Sequence, residues 1–150
     1  MANKSTQPFH IRPATIDDIP LVINNITEEG DKDIRKHYLN PILSITLDVI
    51  ESESYIALTK EGNPLGLFGF YEDCFWLHMC KEMANHPLAA IKFFRKWLKT
   101  QNKPYLWSHI RIEQTATLRM AKMLGFKILR IFPDTYNQTF QIETVRLWIF

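Results

Sequence analysis

The chain has 150 residues, 46% hydrophobic and 23% charged, a balance that excludes a disordered or membrane-embedded polymer. Its 18 Lys and Arg against 16 Asp and Glu leave a net charge of +2, too small an excess for non-specific binding to nucleic acid. No apolar run reaches the length of a membrane span, and the opening residues MANKSTQPFH lack the apolar core of a signal peptide, so a cytoplasmic protein is expected.

Residues 1–8 are polar and expected to be loose, at the head of a single domain covering 1–150. Phe9 and Ile11 alternate with His10 and Arg12 as in a short strand. Thr15, Asp17 and Asp18 then mark a helix start. That helix is expected to carry Ile19, Leu21, Val22, Ile23 and Ile26 and to stop near Gly30. A second helical region, 31–50, is broken by Pro41 and has Ile42, Ile45, Val49 and Ile50 as its apolar stripe. Residues 54–59 (SYIALT) and 65–71 (LGLFGFY) read as a hairpin, and the turn Glu72-Asp73 leads into a third strand, 74–80 (CFWLHMC).

Residues 87–100 return to helical spacing, with Leu88, Ile91, Phe94, Trp97 and Leu98 on one face. A strand at 105–112 precedes a helix at 114–124 with Leu118, Ala121 and Leu124 inward, stopped by Gly125. Two strands, 126–132 and 140–149, close the chain around a polar turn at 134–139. The order β-α-α-β-β-β-α-β-α-β-β predicts one mixed, mostly antiparallel sheet with helices on both faces. Cys74 and Cys80 share one extended segment and cannot bring their sulfurs together, so two free thiols in a reducing compartment are expected.

Two segments carry a family resemblance. Residues 11–26 (IRPATIDDIPLVINNI) and 114–126 (QTATLRMAKMLGF, ending in Gly125-Phe126) resemble the first strand–helix and the late helix of the GNAT (GCN5-related) N-acetyltransferases. Within that family, the Trp-containing fourth strand, FFRKWLK (93–99) and HIRIEQTATLRMAKMLGF (109–126) look like the GNAT-like proteins of tailed phages. The resemblance implies an α/β acyl-CoA N-acyltransferase fold in which acetyl-CoA lies where strands four and five splay apart. It places the cofactor on Met79, Cys80, Asn85, His86, Leu88, Ala89 and Gln114, with the pyrophosphate on backbone N–H groups at a helix start.

The chain departs from the family in two places. Residues 81–90 (KEMANHPLAA) contain none of the glycines that let backbone approach phosphate, and Pro87 has no N–H to offer. Ala121 stands where the family usually carries a tyrosine that protonates the leaving thiolate, and Gln114 where it carries an asparagine. The candidates for proton transfer are Glu72, His78 and His109. Their blander readings are a solvated turn for Glu72 with Asp73, and a hydrogen-bonded structural histidine for His78. His78 and His109 lack a carboxylate or thiol at ligand spacing, so no metal is expected.

Lys92, Lys96, Lys99 and Lys103 form a stripe with Arg95 beside it, read as a solvated helix face or as a contact to the 3′-phosphate of CoA or an acidic partner. Trp76, Trp97, Trp107 and Trp148 are expected in the core. Two functions follow from the resemblance. One is transfer of acetyl from acetyl-CoA to an amine of a small molecule or a protein. The other is a GNAT-fold binding or structural protein of a phage particle or host contact, whose cleft Trp76, His78 or Trp107 would fill.

Overall fold

The computed structural model describes residues 8–135 and 139–147. Strand β1 (Phe9–Pro13) is followed by helices α1 (Ile19–Ile23), α2 (Glu28–His37) and α3 (Pro41–Glu51). Strands β2 (Glu53–Thr59), β3 (Pro64–Tyr71) and β4 (Cys74–Met79) come next, then α4 (Pro87–Lys99) and β5 (Tyr105–Arg111). Helix α5 (Thr115–Met123) and strands β6 (Lys127–Asp134) and β7 (Thr139–Leu147) end the order. The strands form one sheet, β1-β2-β3-β4-β5-β7-β6, in which only the β4–β5 contact is parallel.

The period-2 alternation of the strands assigns side chains to two faces. Phe75, Leu77 and Met79 of β4 and Leu106 and Ile110 of β5 pack with α4 and α5 through Phe94, Leu98, Met120, Ala121 and Leu124. On the other face Ile56, Leu67, Cys80 and the partly buried Trp76 pack with Ile19 and Val22 of α1, Ile34 of α2, and Ile45 and Val49 of α3. The aromatic half of the core is a ring cluster: Phe68 lies 5.2 Å from Phe94 and 5.3 Å from Trp97, and Phe70 stacks on Trp97. Edge-to-face and offset ring pairs of this kind add stabilisation beyond area burial alone.

Helix starts follow their caps. Asn40 Oδ1 accepts the Leu43 N–H at 3.1 Å, and Pro41 sits at the first turn of α3, where its missing N–H costs nothing. Pro41 therefore begins a helix where the sequence reading had it break one. Gly30 is likewise inside α2, its N–H bonded to the Thr27 hydroxyl, and the first predicted helix ends earlier, at Ile23. Ile26, expected on that helix, instead forms an isolated antiparallel bridge with Cys80. Among the described residues the N-terminal half thus holds three α-helices where two helical regions were expected. Gly125 follows α5 with φ +100, the left-handed cap that the sequence indicates.

Two apolar stripes are only half covered. Ile45 and Val49 of α3 are buried while Ile42 and Ile50 are exposed, and Leu88 on α4 is 74% exposed although Ile91, Phe94 and Leu98 go inward. Lys103 lies beyond α4, with its ammonium over the Phe70 ring at 4.9 Å rather than on the helical stripe. Lys92, Arg95, Lys96 and Lys99 are exposed. Trp148 and residues 136–138 lie outside the described residues.

Candidate active site

One register pair, Cys74 with Trp107, joins β4 to β5, and Trp107 donates its N–H to the Asp73 carbonyl at 2.9 Å. Beyond it the strands part. Leu77, His78 and Met79 on one side and Ser108, His109, Ile110 and Arg111 on the other line a cavity of about 380 Å³. The cleft is therefore open, and Trp76, His78 and Trp107 form its walls instead of filling it. Trp107, half-buried, lines the cavity and belongs to neither core cluster, which corrects the expectation for it; Trp76 packs against the core and lines the cavity as well.

The backbone of β4 is polarised by the same geometry. Cys80 donates its N–H to the Leu65 carbonyl, and carrying that phase along the β3–β4 register makes the even-numbered residues of β4 the hydrogen-bonded ones, so the odd-numbered peptide groups turn toward β5. The Met79 carbonyl accepts the Thr27 N–H at 3.0 Å, and the Lys81 N–H donates to the Asn25 carbonyl at 2.8 Å. The segment after α1 thus clips onto the end of β4. The N–H and C=O of Leu77 and the N–H of Met79 face the gap with no strand neighbour.

His78 projects to the α1–α3 side, where its Nε2 lies 3.5 Å from Asp48 Oδ2 on α3. Its side chain is 11% exposed against 39% for Asp48, so the carboxylate reaches solvent and the imidazole sits behind it. His109 lines the same cavity but is held at 2.9 Å by Glu143 of β7, which also accepts from Arg130 at 3.0 Å. The His109 hydrogen bond, with that of Arg130, holds the Glu143 carboxyl below its ordinary range. Each histidine therefore has its own carboxylate, and the expected histidine pair is two separate acid–imidazole pairs around one cavity. No group of three His, Cys, Asp or Glu suited to a metal occurs among the described residues.

Behind the cavity Arg111 of β5 donates to Asp33 of α2 at 2.8 Å, with both side chains largely buried. Tyr38, which follows α2, lies with its ring 5.7 Å from the Arg111 guanidinium. Burial, reinforced by the charge of Asp48, raises the Tyr38 phenol above its ordinary pKa, so the hydroxyl keeps its proton at neutral pH. Glu29 of α2 accepts the Ala116 N–H with both carboxylate oxygens at 3.2 Å, satisfying an open donor at the start of α5. Cys74 also lines the cavity, its thiol pushed up to about 11 by burial.

The remaining predicted site residues divide clearly. Met79 and Gln114 line the cavity, and Ala121 lines it without a hydroxyl. Cys80 is fully buried against α1, its thiol raised to about 12 by burial. Glu72 sits in the β3–β4 turn at φ +55, exposed, and is not among the cavity residues. Asn85, His86, Leu88 and Ala89, on the 3-10 turn of Lys81–Asn85 and the start of α4, are not among the residues that line the cavity. His86 is bonded to Glu82 at 2.9 Å.

Sequence reasoning missed Asp48, Glu51, Tyr38, Asp33 and Arg111. A signal for Asp48 was present: PILSITLDVIE carries only two charges, and an acid inside so apolar a helix has to face something polar.

A mixed seven-stranded sheet of this order, splayed between β4 and β5, is the GNAT acyl-CoA N-acyltransferase fold. Spermidine N-acetyltransferase from Vibrio cholerae, solved with CoA and spermine, is similar to this chain with a TM-score of 0.67 at 12% identity, over 93% of this chain and 95% of that one. The aminoglycoside N(6′)-acetyltransferase of Legionella pneumophila matches with a TM-score of 0.64 at 12% identity, over 93% and 92%. A GNAT-family acetyltransferase from Bacillus anthracis matches at 0.63 and 15% identity, over 94% and 95%. No protein-family model and no curated protein sequence matches the chain. At such identities the likeness establishes the fold, and the chemistry rests on the site.

Proposed function

We propose that this domain is an N-acetyltransferase that moves acetyl from acetyl-CoA to a cationic amine. The observation that carries the reading is the open cleft at the β4–β5 splay, where one wall, β4, carries both backbone groups turned into the gap and a histidine backed by a carboxylate. The proteins of this fold named above include ones that act on spermidine and on aminoglycosides, both of which carry several amino groups, which supports an amine acceptor.

The fit to acetyl-CoA is good at the acyl end of the site and poor at the phosphate end. The N–H groups of Leu77 and Met79 can hold a carbonyl entering the gap. At the phosphate end, the N–H groups of Lys81, Met83, His86 and Ala90 are all bonded within the protein and Pro87 has none. The N–H groups of Leu88 and Ala89 at the first turn of α4, with that of Glu82 on the 3-10 turn, remain for an anion there. When bound, acetyl-CoA supplies the activated carbonyl.

The chain's own groups do the rest. Asp48 and Glu51 at the cavity draw in an ammonium, and Trp76, Trp107 and Tyr71 offer ring faces to it. His78 accepts the proton that makes the amine nucleophilic, with Asp48 stabilising the imidazolium. The Leu77 N–H is a donor for a developing oxyanion. Tyr38, on the α1–α3 face, holds a proton at its phenol, whereas Ala121, on the α5 face, has none to give.

A titration calorimetry experiment with acetyl-CoA, followed by turnover with spermine, tests the reading. Micromolar binding and product formation are expected; no heat and no thermal shift at high protein concentration would overturn it. A second reading has one specific observation in its favour, the engaged amides of residues 81–90 and the clip of Asn25 and Thr27 on β4. It makes the domain a binding or structural protein without turnover. Heat with spermine but none with acetyl-CoA would establish it.

A further inference from the structure

Helix α3 is apolar over a wider arc than the domain covers. At 3.6 residues per turn, Ile45, Val49, Ile42, Thr46, Ile50, Leu43 and Leu47 fall in that order across about 200° of its circumference. The core takes Ile45 and Val49, at 0% and 7% exposure, and these occupy one edge of the arc. Outward of them Ile42 is 61% exposed, Leu43 52%, Leu47 44% and Ile50 64%, while Leu39, just ahead of the N-cap, is fully exposed. Asp48 and Glu51, the only charges on α3, fall on the opposite arc toward the cavity. A helix exposed on one side normally turns its polar residues outward; α3 turns outward a row of leucine and isoleucine.

We infer that this stripe is the interface of a two-fold dimer, with α3 of one copy packed on α3 of a second. Two features favour a second copy as the occupant. A two-fold interface sets the same patch against itself, so a charged patch would repel its copy. The row Leu39, Ile42, Leu43, Leu47 and Ile50 has no charge and matches itself. The area also suffices. Five side chains at these exposures present on the order of 500 Å² of apolar surface, the upper part of the range for the largest patch on a monomer. Pairing two copies would remove about 1,000 Å² in total, which reaches the threshold for a specific interface.

A second exposed apolar region, on β6, is less suited to self-pairing. Edge strand β6 presents Ile128, Leu129 and Ile131, but it also carries exposed Lys127 and Arg130, and Pro133 has no N–H for a ladder. Such charges and prolines are the usual guards of a sheet edge.

Sedimentation equilibrium of the full chain between about 1 and 200 µM, without cofactor, tests the inference. The expected species has twice the 17.7 kDa chain mass. Leu47→Glu should weaken the dimer at least ten-fold, and Leu43→Gln should do so to a smaller degree while leaving the thermal melt and far-UV spectrum of the monomer unchanged. Leu129→Lys on β6 should leave the dimer intact. A monomer across the whole range would overturn the proposal and leave the stripe to another partner. A dimer resistant to both α3 variants but dissolved by Leu129→Lys would overturn it in favour of edge pairing.

Discussion

The His78 imidazole and the Asp48 carboxylate meet 3.5 Å apart across the cavity wall, joining β4 to α3 over 30 residues of sequence. In the proposed reaction the imidazole receives the amine proton. His78→Gln should therefore lower turnover by about 10²-fold with little change in the thermal melt, as expected for loss of a general base. Asp48→Asn should weaken binding of a cationic acceptor and lower turnover by a smaller factor. Steady-state rates with spermine, alongside differential scanning fluorimetry, check both.

The unpaired amides of β4 give a second test. Leu77 and Met79 N–H groups should exchange with solvent rapidly in the free protein and become protected when acetyl-CoA is added. The Thr27 and Lys81 amides, bonded at 3.0 and 2.8 Å, should be protected in both states. Residue-resolved hydrogen exchange reads all four.

Gly69 has no room for a side chain. A Cβ there would come within 2.5 Å of the Glu53 carbonyl and 2.7 Å of the Trp76 ring. Gly69→Ala should destabilise the fold by about 2 kcal/mol, an overpacking cost, which for a chain of this size is roughly a 4–8 °C fall in Tm. Because the displaced ring is a cavity wall, the tryptophan emission should shift as well.

Asp18 pins the start of the first helical turn. Its carboxylate accepts two hydrogen bonds from Arg12, at 3.0 and 2.8 Å, and one from the Thr15 N–H at 2.9 Å. The Arg12 bonds, above all, hold its pKa below the ordinary value. A depressed carboxyl stabilises the fold above the unfolded value of about 4 and loses that contribution as pH falls through the lower folded value. Asp18→Asn should cost about 1 kcal/mol at pH 7, and the difference from wild type should shrink below pH 4 in urea melts.

Both thiols are raised, Cys74 to about 11 and Cys80 to about 12, by burial. Iodoacetamide at pH 8 should alkylate Cys74 about a hundred-fold more slowly than a free cysteine, because the thiolate is the reacting form. Cys80, fully buried, should not react until the protein unfolds. Intact-mass kinetics check this.

The strands, the ring core and the Gly125 cap were legible because each is local: alternation, aromatic density and a helix stop lie within a few neighbouring residues. The site was less so. Arg111 finds Asp33 across 78 residues and His109 finds Glu143 across 34, pairings with no short-range signature. Ile26 and Leu88 misled for a related reason, since helical spacing shows which residues could share a face but not whether anything covers that face. Ile26 went to a bridge with Cys80, and Leu88 stayed in solvent. The lack of glycine in 81–90 is visible in the sequence itself. What could not be read was that its amides are engaged by a 3-10 turn and by Asn25.

Glu29 has a consequence for how the two layers of the domain move. Helices α2 and α5 stand on opposite faces of the sheet, and the Glu29 carboxylate on the Ala116 N–H ties one to the other, next to Gly30 and Thr117 in the cavity lining. That tie works as a cross-brace: while it holds, neither helix start shifts without carrying the other with it.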